Sequence, residues 1–317
     1  MHVTIIGAGA LGRIYGLRLL AAGDEVAFLV RPARALETSP FVIEQVNGGQ
    51  RRDVAEQPRR VTAVPPETRV VLLAIRFDQV ASDEIAALLR AAPSVPIVVL
   101  TPLMPRQQAA LEAASGRRVT AAMPSVSGYF DERGVVRHWI IKLASTLIDE
   151  TGLVEASRPT LEELARHLTR QGIAAHLEGH VGSLNVATTA AFFPIIASIN
   201  AGGGIDGVLA DKDLLATVLD AAHETDALGG KLGKVAPWAH YLTKYIGPYT
   251  LKPGVALARR LAPEAVRFAE EHFGPKLYEQ HLAMGAAILE LGHDHGQAMP
   301  ALERVMERVR ARGGEGA

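Results

Sequence analysis

The residues with the clearest chemical potential stand near the start of the chain. Gly7-Ala8-Gly9-Ala10-Leu11-Gly12 sets three glycines at G-x-G-x-x-G spacing, directly after an apolar strand and at the head of an apolar helix. In that context Gly7 permits a tight turn. Gly9, lacking a Cβ, lets a pyrophosphate approach the backbone, and Gly12 lets the helix pack close to the strand. The helix N-terminus then offers free N–H groups and a partial positive charge to phosphate. Gly7, Ala8, Gly9, Ala10, Leu11 and Gly12 are therefore assigned to dinucleotide binding. The plainer alternative is a glycine-rich turn with no ligand.

The choice of dinucleotide is made at the end of the next strand. A site for NAD usually places Asp or Glu there, to accept from the ribose 2′-OH. This chain reads Phe28-Leu29-Val30-Arg31, with Arg34 close behind and no acid at that place. An arginine there pairs with a 2′-phosphate through charge-assisted bonds, which points to NADPH. The alternative is that both arginines are solvated surface residues.

These residues need elements to hold them. His2–Ile6, 25–30, 70–75, 97–100 and 118–122 read as strands. Helical segments at 10–22, 81–91 and 106–114 alternate with them, ended in the first case by Gly23. This rhythm predicts a doubly wound, mostly parallel α/β sheet covered on both faces. Residues 135–142 and 144–148 read as two strands joined closely enough to be antiparallel. A helix at 159–170 and a last strand at 174–178 follow. Beyond residue 180 the strand signal fades, and 184–200, 214–228, 263–272, 276–291 and 301–310 read as helices. The expected organisation is a dinucleotide-binding domain over 1–178, an all-helical substrate and dimerisation domain over 179–312, and a disordered tail over 313–317.

At this point the sequence resembles the ketopantoate reductase family. The wording Gly7 to Gly12, Tyr15-Gly16, Gly23-Asp24-Glu25-Val26 and Val30-Arg31 carries the likeness, most closely over about the first 40 residues. Gly134-Val135-Val136-Arg137-His138 resembles another family segment, read as mainly structural. The resemblance implies a Rossmann domain followed by an all-helical domain. It also implies NADPH-dependent reduction of a 2-oxo acid in a cleft between the two. It places Arg76, in Leu73-Ala74-Ile75-Arg76, where the family has a lysine close to the cofactor; a surface arginine opening a helix is the alternative.

The chain departs from the family at two places that matter for chemistry. The family's Gln-Asn-Gly loop is here Thr101-Pro102-Leu103, so proline replaces the asparagine and only the Thr101 hydroxyl is left to make a cofactor contact. The family's catalytic lysine lies ahead of a stretch resembled by Phe193-Pro194-Ile195-Ile196-Ala197. Counting back puts Asn185 at its position, and no lysine occurs anywhere from Leu143 to Asp211. Asparagine donates a hydrogen bond but delivers no proton near neutral pH. The family's glutamate corresponds to Glu279, in Lys276-Leu277-Tyr278-Glu279 ahead of Gly285. Asn185 and Glu279 are thus the catalytic candidates. Arg267 falls near the family's carboxylate-binding serine, and could grip a carboxylate or lie solvated on a helix.

Other polar groups are weighed as substitutes for the missing donor. His223 and Asp226 stand one helical turn apart, and Glu224 with Gly229 resembles a family pattern in which the glutamate is structural. Lys231, Lys234, His240, Tyr241, Lys244 and Tyr245 form one polar, aromatic group; His272, Lys276, Tyr278, Glu279 and His281 form another. For each, solvation or pairing is the plainer reading. His293-Asp294-His295 reads as a polar turn rather than a metal clip, and Met284 and Met299 as core.

Composition excludes other classes. In 317 residues, 33 basic and 34 acidic side chains leave a net charge of −1, which favours neither nucleic acid nor an anionic membrane. No cysteine is present, which excludes disulfides, thiolate nucleophiles and cysteine-held zinc. The N-terminal segment has no basic region before its apolar run, so no signal peptide is expected. No uninterrupted apolar run of about 18 residues occurs, so no membrane span is expected. The sequence is read as a cytoplasmic, NADPH-dependent reductase of a small 2-oxo acid or related carbonyl or imine, a homodimer by family habit, without metal. Two rivals stay open: a non-catalytic NADP(H)-binding sensor or partner subunit, and an opine-type dehydrogenase that needs an amine co-substrate.

Overall fold

The computed structural model describes residues 1–141, 144–273 and 277–314. The chain divides into two compact units, Met1–Gly182 and Ser183–Ala317.

The first unit opens β1 (His2–Ile6), α1 (Ala10–Ala21), β2 (Glu25–Leu29), as the glycine spacing requires. It continues β3 (Phe41–Gln45), β4 (Arg52–Ala55), β5 (Arg59–Val61), β6 (Val70–Leu73), α2 (Phe77–Val80), α3 (Asp83–Ala91) and β7 (Ile97–Val99). After these come α4 (Pro105–Ser115), β8 (Thr120–Met123), β9 (Val126–Phe130), β10 (Val136–Ile140), β11 (Thr146–Asp149), α5 (Arg158–Arg170) and β12 (Ala175–Glu178). Eight strands form one sheet in the order β12-β11-β8-β7-β6-β1-β2-β5. Its centre is parallel, with Ile5 beside Phe28 on one side and beside Leu72 on the other. Buried on both faces, these strands are continuous apolar runs rather than alternating ones. Together with its covering helices this is a Rossmann-like α/β fold.

Four short strands build a second sheet, β4-β3-β10-β9, which packs on α1. Helix α1 is therefore covered on both sides, and Ile14, Tyr15, Leu17 and Leu19 are all buried. A helix with two covered faces is apolar all round. Two arginines, Arg13 and Arg18, are buried with it.

The second sheet corrects the sequence expectation that 135–142 and 144–148 pair with each other. β10 runs antiparallel to β9, while β11 belongs to the large sheet, antiparallel to β8 and parallel to β12. Closeness in sequence suggested a hairpin, but burial of Val136 and of Ile148 draws the two strands to different sheets. Lys142 and Leu143, between them, lie outside the described residues.

The second unit is helical. Its elements are α6 (Val181–Gly202, whose first two residues belong to the first unit), α7 (Ile205–Ala210), α8 (Lys212–Leu232), α9 (Pro237–Tyr245), α10 (Pro248–Leu261), α11 (Pro263–His272), α12 (Tyr278–Asp294) and α13 (Pro300–Gly314). Proline opens α9, α10, α11 and α13, where a missing N–H costs nothing. Asp211 caps α8, accepting from the amides of Asp213 at 3.0 Å and Leu214 at 2.9 Å. Helix α8 packs on α13, and α13 on α12, where Gly285 leaves room for Met306. Gly313 and Gly314 continue α13 rather than starting a tail; 315–317 lie outside the described residues. Helix α6 is long and apolar enough to cross a membrane by length and composition alone. It also buries Asn185, Thr188, Ser198 and Asn200, and Thr188 accepts from the Ala236 amide at 2.9 Å, as a core helix of this unit does.

Candidate dinucleotide-binding cleft

The carboxyl ends of β1, β2 and β6 frame a cleft of about 890 Å³. Gly7, Ala8, Gly9, Arg31 and Arg34 line it, with Arg13, Thr62, Ile75, Asp78, Ser82 and Phe130. Open parallel sheets bind ligands at this edge.

Each glycine of the turn meets a different constraint. Gly7 has φ +104°, and a Cβ there would press on the Ala74 carbonyl. A Cβ on Gly12 would overlap the Gly7 carbonyl oxygen, so only glycine lets α1 close on the turn. Nothing lies within 4 Å of a Cβ built on Gly9, which borders open cleft. Ala10, Leu11 and Gly12 form the first turn of α1, whose amides have no intrahelical acceptor. The residues present therefore fit a bound pyrophosphate: a cradle without side chains and a helix N-terminus aimed at it.

The arginines of the rim differ in state. Arg31 is exposed and stands two residues beyond the end of β2, after the buried Val30. Arg34 is held by Glu37, with Nε to Oε1 at 2.9 Å and Nη2 to Oε2 at 3.2 Å. That bond to Arg34 holds the Glu37 carboxyl below its usual range, and Glu37 does not line the cleft. Sequence reasoning missed Arg13, although a basic residue directly after the third glycine was the signal. It lies over the Phe41 ring at 3.9 Å and near the Phe130 ring at 4.8 Å. Burial, then the charges of Arg34 and Arg60, push its pKa down to about 10.

Two expected cofactor contacts stand outside this lining. Arg76 pairs with Asp78, Nη2 to Oδ2 at 2.7 Å, and only Asp78 lines the cleft. The Thr101 hydroxyl donates to the Ile75 carbonyl, two residues beyond the end of β6.

The other candidates lie in the helical unit. Asn185 is buried on α6, at 6% exposure, and its Oδ1 accepts from the Thr189 hydroxyl at 3.4 Å. Glu279 is exposed in the first turn of α12, and Arg267 is exposed on α11. His223 and Asp226 do not pair with each other. Asp226 instead takes His240 Nδ1 at 3.2 Å and the Thr243 hydroxyl at 3.1 Å. Tyr241 and Tyr245 stack with ring centres 5.9 Å apart, and Lys244 lies over Tyr245. Lys231 lies 3.5 Å from the His295 carbonyl. His281 is buried against Phe193. Lys276 and the His272 side chain lie outside the described residues. His293 and Asp294 end α12 rather than forming a separate turn, and Met284 and Met299 are buried in the core.

Residues 3–142 match the family model described as Ketopantoate reductase PanE/ApbA. Among solved structures the chain is similar to 2-dehydropantoate 2-reductase from Geobacter metallireducens GS-15, at 19% identity over 98% of this chain and 99% of that one, with a TM-score of 0.65. It is also similar to a PanE/ApbA family ketopantoate reductase from Ralstonia eutropha JMP134, at 17% identity over 99% of both chains, with a TM-score of 0.69. A third likeness is to D-mandelate dehydrogenase solved with NADH and anilino(oxo)acetate, at 15% identity over 99% of both chains, with a TM-score of 0.65. No curated protein matches the sequence. At these identities the structural likeness speaks for the fold, and the family match covers most of the first unit. The chain is thus similar to the ketopantoate reductase PanE/ApbA family, a family of NAD(P)-dependent oxidoreductases: the family model matches residues 3–142, and solved structures of that name share the fold of the chain.

Proposed function

We propose that this protein is an NADPH-dependent reductase of a small 2-oxo acid or a related carbonyl or imine. The observation that carries the reading is the cleft itself: an open Gly9 beside a helix N-terminus, with Arg31 and Arg34 rather than an acid on its lining after β2. The turn from Gly7 to Gly12 holds the pyrophosphate, and Arg31 and Arg34 pair with the 2′-phosphate. Bound NADPH supplies the hydride. Asn185 donates an amide hydrogen bond to a substrate oxygen, and Glu279 orients the substrate. Arg76 and Thr101 support the nicotinamide end from the ends of β6 and β7. The solved neighbour that holds NADH and anilino(oxo)acetate supports an oxo acid as substrate class. A cytoplasmic homodimer goes with this reading, as one solved neighbour is named as a dimeric ketopantoate reductase.

An imine suits a site with Asn185 in the lysine's place. An iminium already carries positive charge and needs less electrophilic help than a ketone. The absence of lysine from 143 to 211 also favours the rival reading, a chain that holds NADP(H) without turnover.

Oxidation of NADPH followed by absorbance separates these readings. The panel is a set of 2-oxo acids, ketopantoate among them, each with and without an added amine. A reductase turns over at least one, and Glu279→Gln slows it while NADPH binding persists. Turnover only with amine present marks an opine-type dehydrogenase. NADPH binding with no turnover across the panel overturns the reductase reading in favour of a sensor or partner subunit.

A further inference from the structure

Arg13 is a buried cation that forms no ion pair with any described carboxylate. It is 8% exposed. Its Nε donates to the Ala8 carbonyl at 3.1 Å, and its two terminal nitrogens make no hydrogen bond to the described residues. No described carboxylate lies within 4.0 Å of it; the acid it senses, Glu37, is already gripped by Arg34. Its other charged neighbours, Arg34 and Arg60, repel it. Arg60 lies over the same Phe41 ring at 4.6 Å. Two guanidiniums thus share the Phe41 ring, and Arg34 adds a third positive charge near Arg13 against the one carboxylate of Glu37.

Burying an ion is costly unless it is paired. Its place over the Phe41 ring and near the Phe130 ring recovers part of this. The rest calls for an anion, and the open side of Arg13 is the cleft that it lines. The direction of that anion follows from the neighbours. Arg34 lies just beyond β2, and Arg60 lies on β5, paired with β2 opposite Phe28. This is the side where a dinucleotide carries its adenosine ribose, whereas the pyrophosphate sits on the first turn of α1.

We propose that Arg13 is a specificity-determining residue: its guanidinium, set in place by Phe41 and Phe130, pairs with the phosphate on the adenosine ribose and makes the chain select NADPH over NADH. The inference rests on the NADPH reading above and adds to it a buried residue, distinct from the exposed Arg31.

The test is calorimetric binding of adenosine 2′,5′-bisphosphate and adenosine 5′-monophosphate to the full chain, with NADPH and NADH as a second pair. The variants are Arg13→Met, which keeps an apolar stem on the rings, Arg13→Lys and Arg31→Met. Arg13→Met should weaken the 2′-phosphorylated ligand of each pair about tenfold or more, and its partner by less than about threefold. Arg31→Met should retain a preference for the 2′-phosphate. Equal losses on both members of a pair, or no loss on either, overturn the assignment. Should Arg13→Met fail to fold, Arg13→Lys carries the test, because an ammonium gives up the forked geometry. Its loss of about threefold must then be confined to the 2′-phosphorylated ligand. The two failures are distinguishable. A native chain that prefers the 2′-phosphate while Arg13→Met keeps that preference leaves the cofactor reading standing and removes Arg13 from it. A native chain without that preference overturns the NADPH reading itself, and Arg13 with it.

Discussion

Nη2 of Arg18 donates to Nε2 of His138 at 3.0 Å, with both side chains buried beneath the second sheet. A guanidinium has donors only, so the imidazole is neutral and carries its proton on Nδ1. The same guanidinium donates to Gln45 Oε1 at 2.8 Å and lies 3.5 Å from the Asp53 carboxylate. One arginine of α1 thus ties together β3, β4 and β10. Burial, then the charge of Arg18, push the His138 pKa down to about 4.

This relationship fixes a sign for the pH dependence of stability. The folded pKa of His138 lies below its unfolded value of about 6.5. Its contribution is therefore present above the unfolded pKa and is lost as pH falls towards the folded one. At the low end of that window the loss is on the order of 3 kcal/mol at most. Urea midpoints should be level near pH 7–8 and fall between about pH 6.5 and 4.5. His138→Gln, which cannot take up a proton, should show a shallower fall. Equal slopes in the native protein and the variant would remove His138 as the source.

Gly9 and Gly12 separate binding from folding. Gly9 has φ −74° and open space at its Cβ position, so Gly9→Ala strains nothing. Its methyl enters the space a pyrophosphate needs. We expect an unchanged melting temperature and NADPH affinity lowered by about tenfold or more. Gly12→Ala drives a methyl into the Gly7 carbonyl, a backbone atom that cannot swing aside. It should cost about 1–3 kcal/mol or more, seen as a lower urea midpoint even without cofactor. Gly9→Ala binding NADPH as tightly as the native chain would show that the pyrophosphate lies elsewhere.

The central sheet was legible because fully buried strands are written as apolar runs, and Val70–Leu73 admits no other use. The helices of the second unit were legible in part, through their apolar lengths and opening prolines. Strands β4 and β5 were not, for Arg52-Asp53-Val54-Ala55 and Arg59-Arg60-Val61 carry charges that short edge strands tolerate and a sequence pattern reads as loop. The glycine turn announced itself by backbone demands that only glycine meets. The state of each arginine did not. Whether Arg13, Arg31 or Arg76 is buried, exposed or paired depends on Phe41, Phe130 and Asp78, and no local spacing reports those contacts.

Glu224 illustrates a structural role that sequence did indicate. Its carboxylate accepts from the Ala301 amide at 3.0 Å and the Leu302 amide at 3.0 Å, closing the N-terminus of α13 from a neighbouring helix. It satisfies two orphan donors and sets a negative charge at the positive end of the helix. Glu224→Ala should lower stability by about 1–2 kcal/mol, and Glu224→Gln by less, since the amide oxygen still accepts. Both variants should bind NADPH as the native chain does. A native-like urea midpoint for Glu224→Ala would show that water replaces the carboxylate at no cost.

Asn185→Lys asks whether the family's proton donor can be restored. Asn185 is buried, so the new ammonium is desolvated and its pKa falls below the usual value of about 10.4. Burial of that charge should lower the melting temperature, an effect that marks the side chain as enclosed rather than solvated. A positioned general acid contributes about 10²–10⁴ in rate, so even imperfect placement should raise NADPH oxidation with ketopantoate about tenfold. The gained activity should decline as pH rises through the lowered pKa, because the donor must be protonated to act. That pH profile separates a proton donor from a lysine that merely attracts substrate carboxylate, whose effect would persist to higher pH in proportion to binding alone. A folded variant that binds NADPH yet gains nothing would show that position 185 does not face the reacting carbonyl, and that the donor must be sought on another helix.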